Sequence, residues 1–339
     1  MFNSTQIMAR ASGIALLASC VAYGCGGSDS VDGGSGAAGG AGGAGGEDSG
    51  VEPGVSGAPG GAGGGEATDC TKRGPIKEDT TWKPLRACPD GFEVPFAVEV
   101  PGSGTVLTID PGTKLKFEAD AGLEIRGSAA LVAVGTEADP ILFTGWQELE
   151  GSWDGIVFYS SALSNEISHA IVEYAGAPDG ASGNIAVSSD PPGRVKLSSS
   201  TLRFGARFGL TVLDGGELSE FSDNTITDNA EGAIRVGVTA VDQLAGTGNT
   251  LESNGADNVV RIETSILHPL VTDATWPNLT PAVYRVTDPG GDAGADIFVK
   301  AQLTIEAGAI LEFAGGSGID VADGTSGLSA IGTAAKPII

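Results

Sequence analysis

The chain has 339 residues, with 18 Lys and Arg against 43 Asp and Glu, a formal net charge of −25, 55 glycines and four cysteines. A polyanionic surface repels phosphate backbones and argues against nucleic acid as a partner. It suits solubility, divalent cations and neutral or cationic glycans. Two histidines, His169 and His268, and cysteines without CxxC spacing argue against a catalytic zinc site.

In chain order, one basic residue, Arg10, precedes an apolar run from Ala11 to Ala18. The run is well short of the roughly 20 residues a spanning helix needs, so it reads as an export signal. It ends in Leu17-Ala18-Ser19-Cys20. This resembles the bacterial lipobox, in which a Cys follows a small residue and a Leu stands three positions upstream. The resemblance implies that residues 1–19 are removed and that Cys20 is lipidated, anchoring the chain at the outer membrane or surface of a Gram-negative cell. Cys25 is a second candidate, with the bulky Tyr23 against it.

Residues 20–69 follow as a tether. From Gly24 to Gly65 the chain is nearly all Gly, Ala, Ser, Asp, Glu and Pro, too poor in large apolar groups to offset the entropy of ordering. Gly-rich coil spans about 5–6 Å times the square root of its length, on the order of 35–40 Å for roughly 45 residues. Cys70 and Cys88 bracket the lead of the folded part, residues 70–93. In an exported chain this spacing predicts a disulfide.

From residue 94 the sequence repeats. "STLRFGARFGLTV" (200–212), "NTITDNAEGAIRV" (224–236) and "NTLESNGADNVVRI" (249–262) recur with a period of about 25 residues. Short alternating runs broken by Gly, Asn and Asp predict strands, with Ile156, Ile185, Leu210, Ile234 and Val260 in one inward column. Strands at this spacing without helices predict an all-β fold, a parallel β-helix, right-handed as parallel crossovers are. A longer repeat restarts the pattern. "LTIDPGTKLKF" at Leu107 returns as "LTIEAGAILEF" at Leu303, and "DTTW" at Asp79 returns as "DATW" at Asp273. One module therefore covers 94–272, and 273–339 begins a second. Ile339 falls inside a strand that the first copy continues as "PILFTGW", so further coils are expected beyond it.

Phrases such as "LTIDPGTKLKF", "WDGIVF", "VEYAG" and "NTITDN" resemble the right-handed parallel β-helix repeats of the pectate-lyase-like superfamily. With the lipobox and Gly-rich tether, the chain is similar to surface lipoproteins of the myxobacterial type. That superfamily carries lyases, hydrolases, adhesins and proteins without activity, so the resemblance implies the fold and leaves the function to particular residues.

Those residues depart from its hydrolase pattern. Ile226 stands where the acid of an Asn-Thr-Asp element belongs, no Asp-Asp or Gly-His-Gly occurs, and Arg261-Ile262-Glu263 puts an acid in place of a Lys. A calcium-dependent lyase would need clustered acids beside a base. Asp223, Asp228, Glu231 and Glu252 are candidate acids and Arg203, Arg235 and Arg261 candidate bases, yet an Arg needs special tuning to lose its proton. No catalytic residue is assigned. Asn224, Asn229, Asn249 and Asn254 read as turn residues tolerant of left-handed backbone and as amide ladders between coils. Asp288, Asp292 and Asp296 are weak calcium candidates that lack EF-hand spacing. Otherwise no cofactor is expected. His169 reads as a turn or surface residue, Trp82 and Trp276 as packing at the two module starts. Trp146 and Trp153 read as packing under a loop, with sugar stacking the alternative. The expected role is a non-enzymatic surface module that binds polysaccharide or another cell-surface component. A polysaccharide lyase or hydrolase is the second reading, and a structural element without ligand the third.

Overall fold

A computed structural model describes residues 69–178, 182–264, 267–287, 296–322 and 324–339. The chain is a parallel β-solenoid in which each coil adds one strand to each of three faces. One early coil runs Val106–Ile109, Lys114–Phe117 and Gly122–Gly127, on the first, second and third faces in turn. The faces hold sheets of six, seven and nine strands. Strand pairs are parallel, because the chain must travel once around before it meets its previous turn.

Alternation places the core. Inward residues on the third face stack in register from Val98 through Leu123, Ile156, Ile185, Leu210, Ile234, Val260 and Tyr284 to Leu311. All five aliphatic residues expected in this column are fully buried. At about 25 cal/mol per Å² of apolar surface, each such side chain contributes roughly 1.5–3 kcal/mol only once its neighbours are in place. No coil has a core of its own.

The corners carry the polar part of the interior. Asn184, Asn229, Asn254 and Asn258 form an amide ladder, with Nδ2-to-Oδ1 bonds of 3.0, 2.8 and 3.0 Å. Asn224 Nδ2 donates likewise to Asn249 Oδ1 at 3.1 Å on the neighbouring corner. The expected ladders are therefore present. The expected left-handed backbone is displaced by one residue. Asp223 (φ 57°), Asp228 (φ 55°) and Ser253 (φ 58°) take it, each just before an inward Asn. The left-handed residue turns the chain, and the Asn that follows caps backbone groups the turn leaves unpaired. His169, at φ 47°, also takes left-handed backbone.

At the start, the Cys70–Cys88 disulfide closes the lead, and Lys72 N and Glu93 N bond across to Glu93 O and Cys70 O at 2.8 Å each. Lys72 Nζ lies 4.0 Å from the Phe92 ring centroid. Later a 3-10 turn, Val238–Leu244, interrupts the first face, packing between Glu217–Ser222 and Ala274–Trp276. Ala274–Trp276 pairs with Gln302–Ile305 in the register that Thr80–Trp82 keeps with Val106–Ile109. Trp82 and Trp276 are both buried. Leu311–Phe313 differs from its sequence counterpart Leu115–Phe117. It pairs with Val283–Thr287 and so extends the third face, whereas Leu115–Phe117 lies on the second. Among the described residues no helix is long and apolar enough to cross a membrane.

Candidate functional site

The outward row of the third face reads Glu99, Glu124, Val157, Ala186, Thr211, Arg235, Arg261, Arg285 and Glu312. Charged residues stand at both ends and small ones in the middle. The small residues leave a cavity of 200 Å³ bordered by Glu124, Asp154, Tyr159, Ser182 and Ser188. Ser182 reaches over its floor: Thr211 Oγ1 donates to Ser182 O at 3.2 Å, and Arg235 donates to Ser182 Oγ at 2.8 Å.

Charges on this face are matched within and between coils. Arg126 donates twice to Glu124 Oε2, at 2.6 and 2.9 Å, and its guanidinium lies 4.5 Å from the Tyr159 ring centroid. The Glu124 hydrogen bonds, opposed in part by burial, raise the Arg126 pKa above its ordinary value and keep the cation charged. Arg235 grips Glu263 through two bonds of 2.6 and 2.7 Å, a fork that suits a carboxylate. Arg285 is shared between Glu312 and Asp257, at 2.6 and 2.9 Å.

The acids singled out from sequence lie elsewhere. Asp223 and Asp228 are exposed corner residues, and Thr227 Oγ1 lies 2.9 Å from Asp228 Oδ2. Glu231 pairs with Arg261 at 3.6 Å, and Glu252 is exposed on the second face. None of the four lines the cavity. Arg235 and Arg261 share the third face, but Arg203 sits on the second, bonded to Glu173 at 2.7 Å. Asp288 and Asp292 lie outside the described residues, and Asp296 opens the strand Asp296–Val299. Among the described residues no three metal-ligating side chains come together.

The two tryptophans around "QELEGS" have separate fates. Trp153 is fully buried, stacks on Phe117 at 4.2 Å and donates to Glu173 O at 2.8 Å. Trp146 is 50% exposed, against a cavity of 430 Å³ lined also by Glu118, Ala119, Gln147, Gly151 and Ser152. Glu124, Asp154 and Tyr159 carry no site signal in the sequence. Their alternation marks them only as outward, and a cavity between them depends on Val157, Ala186 and Thr211 being small on three successive coils.

The corners between the second and third faces are uneven. Residues 118–121, 204–207 and 228–231 turn in four residues, whereas nine residues separate the strands on the adjacent coils, 146–154 and 174–182, of which 179–181 lie outside the described residues. The first insertion borders both cavities, through Asp154 on one side and Trp146, Gln147, Gly151 and Ser152 on the other, and the second borders the third-face cavity through Ser182. In a solenoid, insertions in single repeats commonly build the binding face. No family model matches the chain, and no curated protein or solved structure matches it.

Proposed function

We propose that the chain is an exported surface protein, lipid-anchored through Cys20, whose solenoid binds an extended polysaccharide without cleaving it. The observation that carries this reading is the third-face depression, floored by Val157, Ala186 and Thr211 and bordered by the two long corners. A shallow polar trough with one aromatic ring, on a face that repeats every coil, matches a ligand that itself repeats. The pairing of Glu231 with Arg261 and the corner placement of Asp223 and Asp228 favour structural over catalytic roles for those acids.

Val157→Arg fills the trough from an outward position. It is expected to abolish retention of the full chain by immobilised polysaccharide while leaving the melting temperature within a degree or so. Unchanged retention would remove the trough from the account. One observation favours a second reading as a hydrolase: Glu124 and Asp154 both line the cavity. That reading requires product formation that Asp154→Asn abolishes.

A further inference from the structure

The larger of the two cavities is not on the third face but around its corner, at Trp146. We propose that Trp146 is the stacking platform of a second glycan subsite that takes an uncharged pyranose ring. The proposal rests on the reading of the third face as glycan-binding, and it extends that site around the corner.

Four observations carry it. The first is the exposure of Trp146 in a chain whose other three tryptophans, Trp82, Trp153 and Trp276, are buried to 4% or less. Large aromatic surface left in water is unfavourable, and an indole face is a natural partner for the apolar face of a sugar ring. The second is that the loop already has its packing residue. Trp153 fills the core against Phe117, so Trp146 is spare as a structural element.

The third is rigidity. Trp146 N bonds to Phe117 O at 2.6 Å, and Ser152 closes the loop through bonds to Leu149 O and Gln147 O at 3.1 and 2.9 Å. A side chain at Gly145 would overlap Ser152 Oγ, so the loop packs closely against the strand end. A platform fixed in advance loses little entropy on binding. The fourth is size and continuity. The corner cavity, at 430 Å³, falls within the roughly 300–1,000 Å³ of ordinary ligand sites, whereas the third-face cavity alone, at 200 Å³, does not. Ala119 and Ser152 line one cavity, and Gly122 and Asp154, a few residues on, line the other.

The surrounding groups set the class of sugar. Lys116 Nζ lies 5.9 Å from the Trp146 ring centroid, with Gln147 and the Glu118 carboxylate beside the cavity. Donors and acceptors of this kind satisfy hydroxyl groups. Glu118, Glu148 and Glu150, on a chain of net charge −25, repel uronates.

The test uses the full chain carrying Cys20→Ser, which keeps it free of lipid. It combines gel retardation by hydroxyethylcellulose, polygalacturonate and chitosan with acrylamide quenching of tryptophan fluorescence. Quenching reports mainly on Trp146, since the other three are buried. Hydroxyethylcellulose is expected to retard the protein and shield Trp146. Trp146→Ala is expected to weaken retardation about tenfold, with Trp146→Phe in between. Retardation unchanged by Trp146→Ala, with quenching unaffected by the glycan, would overturn the subsite and leave the third-face site standing. Retardation by polygalacturonate or chitosan alone would overturn the uncharged class. No retardation by any of the three would overturn the glycan reading and the subsite with it.

Discussion

Single side chains in this solenoid matter through what they connect between coils. Asn229 is the clearest case. Its Nδ2 donates to Leu202 O, Thr227 O and Asn254 Oδ1, and its Oδ1 accepts from Gly205 N and Asn184 Nδ2. Removing it strands buried donors and acceptors on three coils, each costing about 1–3 kcal/mol. Asn229→Ala is therefore expected to lower stability by roughly 3 kcal/mol or more in chemical denaturation. Asn249→Ala, at the half-buried end of the other ladder, is expected to cost less than half of that. Equal losses would refute the ladder as the source of the difference. Asn224, Asn229, Asn249 and Asn254 were legible in the sequence because they recur in matching repeats, whereas Asn184 and Asn258, which extend the ladder, were not. The left-handed residue was not, since the position takes Asp in two coils and Ser in the third. What they share is the need to turn just before an inward Asn. Trp146 and Trp153 show a harder limit. Both flank one loop, yet Trp153 packs on Phe117 and is fully buried while Trp146 is half exposed, a difference their sequence neighbours do not reveal.

At the scale of elements, alternation fixes which residues point inward but not which face a strand joins. The period of two is the same on all three faces. This is why the inward column from Ile156 to Val260 could be read directly, while the move of Leu311–Phe313 to the third face could not. The 3-10 turn Val238–Leu244 was also unforeseen, because Val238, Val241 and Leu244 present the same apolar letters a strand would. Within that turn, burial pushes the Asp242 carboxyl above its ordinary range. The unfolded chain then gives up this proton first, so stability falls as pH rises through the window between the ordinary and the raised value. Asp242→Asn removes that cost, with a higher melting temperature expected at about pH 7 and no gain at about pH 3, where both states hold the proton. A gain that is equal at both values would contradict the sign. At the lead, the 18-residue separation of Cys70 and Cys88 predicts that Cys70→Ser lowers stability by about 3 kcal/mol. An unchanged melt would show that the lead adds nothing to the coils it covers.

For the molecule as a whole, the solenoid explains how a chain poor in aromatic residues, at 6%, and rich in glycine can hold a continuous core. Each coil is completed by its neighbours, so stability is close to a sum over nearest-neighbour contacts. The same geometry lines up outward side chains, and two long corners on adjacent coils break that regularity at one place. That place is where binding is proposed. The proposed lipid anchor at Cys20 has its own check. Cys20→Ser is expected to move the protein from the membrane fraction to the soluble fraction, and Cys25→Ser to leave it in place. The reverse pattern would transfer the lipid to Cys25. The central claim, binding without cleavage, is tested most directly by incubating the full chain with a panel of polysaccharides, with and without Ca²⁺, and recording retention and product together. The account predicts retention by at least one neutral polysaccharide, unaffected by chelation of calcium, with no release of shorter chains. Release of product, whether or not it depends on calcium, would contradict it and turn attention to Glu124 and Asp154.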